Sequence, residues 1–325
     1  MKLPNIHNQF IAQCPARRLW AMAAAILLVG VQLSPAVTTG STGSQKTFAT
    51  PEDAVRALST AVKAHDTNAL AAIFGPQFDD IISPDKVQAQ NELTAFGNTL
   101  SRSNRLDQAQ PDRYILETGP DQWPFPIPIV RTNNAWMFDT PAGRDEIINR
   151  RVGRNELDAL KSVRAYVEAQ RDYASKDHTG NEVLKYAQKI LSTAGTRDGL
   201  YWPTGDDGEL SPLGPLVATA QSEGYLQQAA SQANPQPFHG YYFKILTGQG
   251  PNAPGGQYDY IINGNMIGGF ALVAWPAEYG ESGVMTFIVN QQGKVYQKDL
   301  GPNTAAIVKD MKEYNPDKSW KLSPD

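Results

Sequence analysis

Four arginines, Arg144, Arg150, Arg151 and Arg154, stand close together among Asp145, Glu146 and Glu156. On a helix Arg150 and Arg154 share a face. Glu146 pairs with Arg150 at the i,i+4 spacing, a contact of about 0.3–0.5 kcal/mol. Guanidinium groups on one face can grip a carboxylate or phosphate. The competing expectation is an ion-pair network, solvated or lying between domains. Gly153 inside this stretch costs about 1 kcal/mol against alanine and suggests close packing or a kink.

His239, in PQPFHGYYF, is the one histidine set among aromatic residues. Imidazole titrates near neutrality, so it is the candidate general base. It has no serine elbow to serve. Ser211 has Glu209 where the first glycine should stand, and Ser282 lacks a glycine two residues on. Asp206, Asp207 and Glu209 in TGDDGE are weak calcium candidates without EF-hand spacing. His65, His178 and His239 form neither HExxH nor a close pair, and no cofactor is indicated. Trp202, with Trp123, Trp136, Tyr201, Tyr241, Tyr242 and Trp275, offers aromatic surface for a ligand or a core. GPNAPGGQ lacks the lysine and the hydroxyl residue of a phosphate loop.

These residues need elements to carry them. TPEDAVRALSTAVKAHD predicts a helix capped by Thr50, with Pro51 in its first turn and Asp53 completing a capping box. Its apolar face is Ala54, Val55, Leu58, Ala61 and Val62. TNALAAIFG is a second helix, and Ser83-Pro84 opens a third that runs to about Leu100. Tyr114–Glu117 reads as a strand. WPFPIPIV suits an edge or extended segment because its prolines lack the donor of a central ladder. Asn133-Asn134 turns the chain into the strand AWMFD. A long helix follows from Arg144 to about Ser175, with an apolar repeat of Leu157, Leu160, Val163 and Val167. EVLKYAQKILST predicts another helix. The chain then turns glycine-rich, with 18 of its 27 glycines between Gly195 and Gly301. The strands expected there are FHGYYFKIL, YDYIIN, GGFALVAW, GVMTFIVN and KVYQKD, the last two joined by a turn at Gln292-Gly293, and TAAIVKDMKEY is a closing helix. The fold class is α+β. A helical unit with a small antiparallel sheet spans 47–140, and a long helix with an antiparallel sheet spans 141–325.

Lys2, Arg17 and Arg18 precede an uncharged apolar run from Leu19 to Leu33, with Ser34 and Ala36 placed for cleavage. This is the layout of a signal peptide over 1–36, followed by a flexible linker over 37–46. The apolar run is shorter than a spanning helix needs, so no stable membrane span is expected after cleavage. Cys14, the single cysteine, lies before that run, so the processed chain would carry no thiol. Loss of the leader takes three of the 29 basic residues and none of the 33 acidic ones. That balance argues against nucleic acid or an anionic membrane as partner.

The succession WPFPIPIV, WMFDTPAGRDEI, RRVGRNEL, AQRDYA, DGLYWP, SPLGPLV, GYYFKIL and GFALVAWPAEYGESGVMTFIVNQQGKVYQKDLG resembles a bacterial family, domain of unknown function 2950, over about 48–322. The resemblance implies an exported envelope protein and carries no catalytic residue with it. The pattern over 47–140 resembles the cystatin-like fold of the nuclear-transport-factor-2 superfamily. Residues 155–301 resemble the head of type IV pilins and pseudopilins, although the charged GRDEIINRRVGRNE stands where pilins have an apolar helix. The expectation is a periplasmic or secreted protein with a non-catalytic structural or interaction role, docking an envelope protein through its sheet or the groove between its halves. A binding module for a small anion, using Arg150, Arg151 and Arg154 with Trp202 and His239, is the alternative. A hydrolase using His239 is the third.

Overall fold

The computed structural model describes residues 45–205, 207–225 and 236–324. The signal-peptide expectation and most of the linker lie outside them. The linker's last two residues do not: Gln45 Nε2 donates to the carbonyls of Ile73 and Phe138, and Lys46 N to Ala72.

Helices α1 (Pro51–Lys63), α2 (Thr67–Phe74), the single turn α3 (Phe78–Ile81) and α4 (Lys86–Arg102) come first. The predicted face of α1 is buried in full. Thr50 caps it by accepting from Asp53 N, while the Asp53 carboxylate accepts the Thr50 hydroxyl. Asp66 and Asp85 cap α2 and α4. An antiparallel sheet follows in the order β1 (Asn104–Gln110), β2 (Arg113–Thr118), β4 (Ile129–Thr132), β5 (Ala135–Phe138), with β3 (Trp123–Pro124) on β2. Sequence did not indicate β1, whose residues are polar and almost all exposed. The WPFPIPIV segment is not simply an edge. Its β4 part is paired on both sides, and Pro126 and Pro128 fall in the unpaired stretch before it. Asn133 and Asn134 turn into β5 with φ of 52° and 63°, as a type I′ turn requires. One core lies between these helices and this sheet, built on Leu58, Ile73, Leu116, Ile127 and Phe138.

Helix α5 (Thr140–Tyr173) runs 34 residues, about 50 Å. It begins against the first core, where Gly143 packs so closely on Pro126 O that a Cβ would lie 2.6 Å away. It ends inside a second core. Gly153 marks neither a kink nor a close approach: α5 is continuous through it, and a Cβ there would meet nothing within 4 Å. Gly153→Ala is therefore expected to stabilise the protein by about 0.5–1 kcal/mol, read as a raised urea midpoint at unchanged slope.

The helix expected at EVLKYAQKILST is absent. Glu182 has φ 60°, Tyr186 bridges Met266, and Leu191 bridges Tyr201. The buried Gln170 amide bonds both the N–H and the C=O of Ala187. Partners distant in the sequence thus use the backbone groups a helix would need. A short helix not foreseen, α6 (Gly214–Ser222), follows.

The second sheet runs in the order β15 (Lys321–Leu322), β13 (Tyr296–Asp299), β12 (Met285–Asn290), β11 (Ala271–Pro276), β6 (Tyr241–Leu246). YDYIIN is broken into β8 (Tyr258–Asp259) and β9 (Ile261–Ile262), and β9 forms a hairpin with β10 (Asn265–Met266). β8 pairs β7 (Gly248–Gln249), which also takes β14 (Glu313–Tyr314) in parallel. Helix α7 (Thr304–Asp310) forms only the first part of the expected closing helix, whose Glu313–Tyr314 is strand β14, and β15 follows. Both α5 and α7 pack on β11, and nearly every residue of β11 and β12 is buried. Strands covered on both sides read as continuous apolar runs, which explains ALVAW and TFIV. The central strands β11 and β12 are therefore not available for docking, while β15 at the sheet edge is exposed. Among the described residues no helix is long and apolar enough to cross a membrane.

Candidate functional site

The polar residues nearest the predicted arginines sit where α5 passes from one core to the other. Asp85, the cap of α4, is 2% exposed. Its Oδ1 accepts from Val87 N and Gln88 N at 3.1 Å. Its Oδ2 accepts the Tyr225 hydroxyl at 2.9 Å and Gly240 N at 3.1 Å. One carboxylate thus ties the first helices to the start of the second sheet. Asn155, fully buried on α5, accepts from Gln88 Nε2 at 2.5 Å and donates to Ser282 O at 2.9 Å. Glu156 accepts Val284 N and Met285 N, both at 3.0 Å, at the entrance to β12. These buried side chains tie the two parts of the chain together by hydrogen bonds.

Sequence reading missed this seam. The apolar repeat assigned Leu157 to the buried face, yet Leu157 is 61% exposed and Asn155 is 0% exposed. Periodicity counts apolar positions and is blind to a buried amide. The one signal available was Asp85, a capping residue type just before α4.

The predicted arginines do not converge as one group: Arg150 and Arg154 have separate partners, and only Arg144 and Arg151 share one, Glu281. Arg150 is exposed and bonds Glu146 at 2.7 Å, its expected i,i+4 partner. Arg154 Nη2 lies 3.2 Å from Glu92 Oε1. Arg144 bonds Asp80 at 3.0 Å and lies 3.5 Å from Glu281. Arg151 is the exception to surface placement, with a side chain 1% exposed. Its Nη2 donates to Ile81 O at 2.5 Å, and its Nη1 lies 3.8 Å from Glu281 Oε2. Burial lowers the Arg151 pKa and raises that of Glu92, and the opposite charges around each counter the shift. The cluster is a network of pairs between α3, α4, α5 and the loop from β11 to β12.

His239 does not join it. The residue adopts φ 49° in the turn before β6, a region most side chains avoid. Its backbone N donates to the Tyr225 hydroxyl. Its Nε2 lies 3.0 Å from Glu223 Oε2 and its Nδ1 4.0 Å from Asp158 Oδ2. The ring nitrogens face two carboxylates rather than a hydroxyl that could be activated. Ser282 Oγ is engaged with Glu278 at the other side of the seam.

Trp202 belongs to a third place, beyond the C-terminal end of α5. Its ring lies 6.4 Å from that of Tyr173 and 5.1 Å from that of His178, with the Arg197 guanidinium 5.6 Å above it. Tyr173 is nineteen residues past Arg154 on one helix, about 28 Å away, so Trp202 cannot share a ligand with the arginines. Arg197 also takes Asp207 at 2.5 Å and Glu209 at 2.6 Å. These two calcium candidates are thus neutralised by a cation, while Asp206 lies outside the described residues. Among the described residues no group of three or more His, Cys, Asp or Glu could hold a metal.

The His178 side chain is only 5% exposed. Burial lowers its pKa, with the Glu209 carboxylate opposing. The folded state thus favours the neutral ring. The stabilisation this gives is complete above the unfolded value of about 6.5 and is lost as pH falls below it. The difference in unfolding free energy between wild type and His178→Phe should shrink from pH 7.5 to 5.5, by at most about 1.4 kcal/mol per pH unit.

Fold and seam together define an α+β protein whose polar residues join two cores. The chain belongs to the family described as Protein of unknown function (DUF2950), which matches residues 45–322. Comparison with curated proteins and with solved structures finds no match. The likenesses to pilin heads and to the cystatin-like fold thus gain no support from that comparison.

Proposed function

We propose that this chain is an exported, non-catalytic interaction module of the cell envelope. The observation that carries the reading is the internal pairing of most of the charged groups singled out for chemistry. Arg150, Arg154 and His239 face Glu146, Glu92 and Glu223. Arg197 holds Asp207 and Glu209. Side chains so paired support a shape rather than a reaction. Export is supported by the leader-like order of charges, apolar run and small residues at the N-terminus. Contact with a partner is supported by exposed apolar side chains on the β9–β10 hairpin, where Ile262 and Ile267 are 47% and 45% exposed.

The test begins with native material. N-terminal sequencing should find a start just after Ala36 in the periplasmic or secreted fraction; recovery of Met1 in soluble cytosol would remove the envelope assignment. An envelope protein that co-purifies should survive Arg150→Ala and Arg154→Ala and be lost with Ile262→Asp plus Ile267→Asp. Loss with the arginine variants alone would refute this docking surface.

A further inference from the structure

We propose that Arg144 and Arg151 form a carboxylate-binding site whose resident occupant is the chain's own Glu281. The two arginines are seven residues apart, two turns along one face of α5. Glu281 Oε1 lies 3.5 Å from Arg144 Nη2, and Glu281 Oε2 lies 3.8 Å from Arg151 Nη1. Each oxygen faces a different guanidinium, the disposition of a bound carboxylate, at distances too long for good hydrogen bonds. Arg151 Nε and Nη1 are buried and have no hydrogen-bond partner. Buried donors left unpaired are costly, and a closer carboxylate would satisfy them. Arg144 therefore supplies the accessible half of the site and Arg151 the desolvated half.

The occupant can leave without disturbing its surroundings. Glu281 is 39% exposed. The next residue is fixed: Ser282 O accepts from Asn155 Nδ2, and Ser282 Oγ bonds Glu278 O. Rotation of the Glu281 side chain would free Arg144 Nη2 and Arg151 Nη1 while the loop stays in place, with Arg144 Nε and Nη1 still held by Asp80 and Asp145. A small organic acid would then enter. While Glu281 competes, apparent affinity is reduced by the fraction of molecules with the site vacant. The site extends beyond the interaction reading, since a small acid rather than a protein is its ligand.

The experiment uses the full chain with formate and citrate as probes, at constant ionic strength balanced by chloride. Glu281→Ala should lower the melting temperature by about 2–4 °C. Formate should restore most of that loss and leave wild type unmoved. By calorimetry, citrate should bind Glu281→Ala about tenfold more tightly than wild type. Adding Arg144→Ala should remove both gains. A folded Glu281→Ala protein that formate does not rescue, with citrate affinity equal to wild type, overturns the proposal. Equal rescue in the Arg144→Ala background overturns it too, since that marks a general salt effect. If Glu281→Ala does not fold, Glu281→Gln decides: a several-fold gain in citrate affinity supports the site, and none overturns it.

Discussion

Asp85→Ala is expected to destabilise the protein by about 3–5 kcal/mol in urea unfolding. Three losses combine. The cap of α4 goes, which costs about 1 kcal/mol. The Tyr225 hydroxyl and Gly240 N then lose a buried acceptor, at about 1–3 kcal/mol each. The sum is discounted because water can reach part of the space left by the side chain. Asp85→Asn keeps an oxygen for the cap but turns an amide group toward Gly240 N or Tyr225, so it should cost roughly half as much. An effect below about 1 kcal/mol for Asp85→Ala would mean that the seam contributes little.

Arg151→Ala should cost about 3–5 kcal/mol, because it removes one partner from a buried charge network. It also takes the donor from Ile81 O. Arg150→Ala, one residue away, should cost under about 0.5 kcal/mol, since its pair with Glu146 is exposed. Arg151→Met should fall between the two, because it keeps the packing of the aliphatic stem. The contrast between neighbours is the useful reading. Equal effects at 150 and 151 would show that burial does not govern this cluster.

Much of the fold was legible in the chain because its signals are local. The face of α1, the Asn133-Asn134 turn and the apolar runs of β11 and β12 each depend on a few adjacent residues. The failures share a different cause. Residues 182–193 have helical composition, but their backbone is claimed by Met266, Tyr201 and Gln170, which sequence places elsewhere. Strand β1 is mostly polar and is held to β2 by its backbone and by the exposed Arg105–Glu117 pair, neither of which gives an apolar pattern. The seam was hidden for the same reason. Asn155 meets Gln88 and Ser282, 67 and 127 residues away along the chain. Nothing about an asparagine between Arg154 and Glu156 announces partners so distant. The arginines were visible as a group, but only the fold separates the buried Arg151 from the exposed Arg150.

Helix α5 and its polar partners bind two hydrophobic cores into one cooperative body. Scanning calorimetry of the wild-type chain tests this directly. A single unfolding transition, with calorimetric and van't Hoff enthalpies in agreement, is the predicted result. Two separate transitions, one for each core, would contradict it.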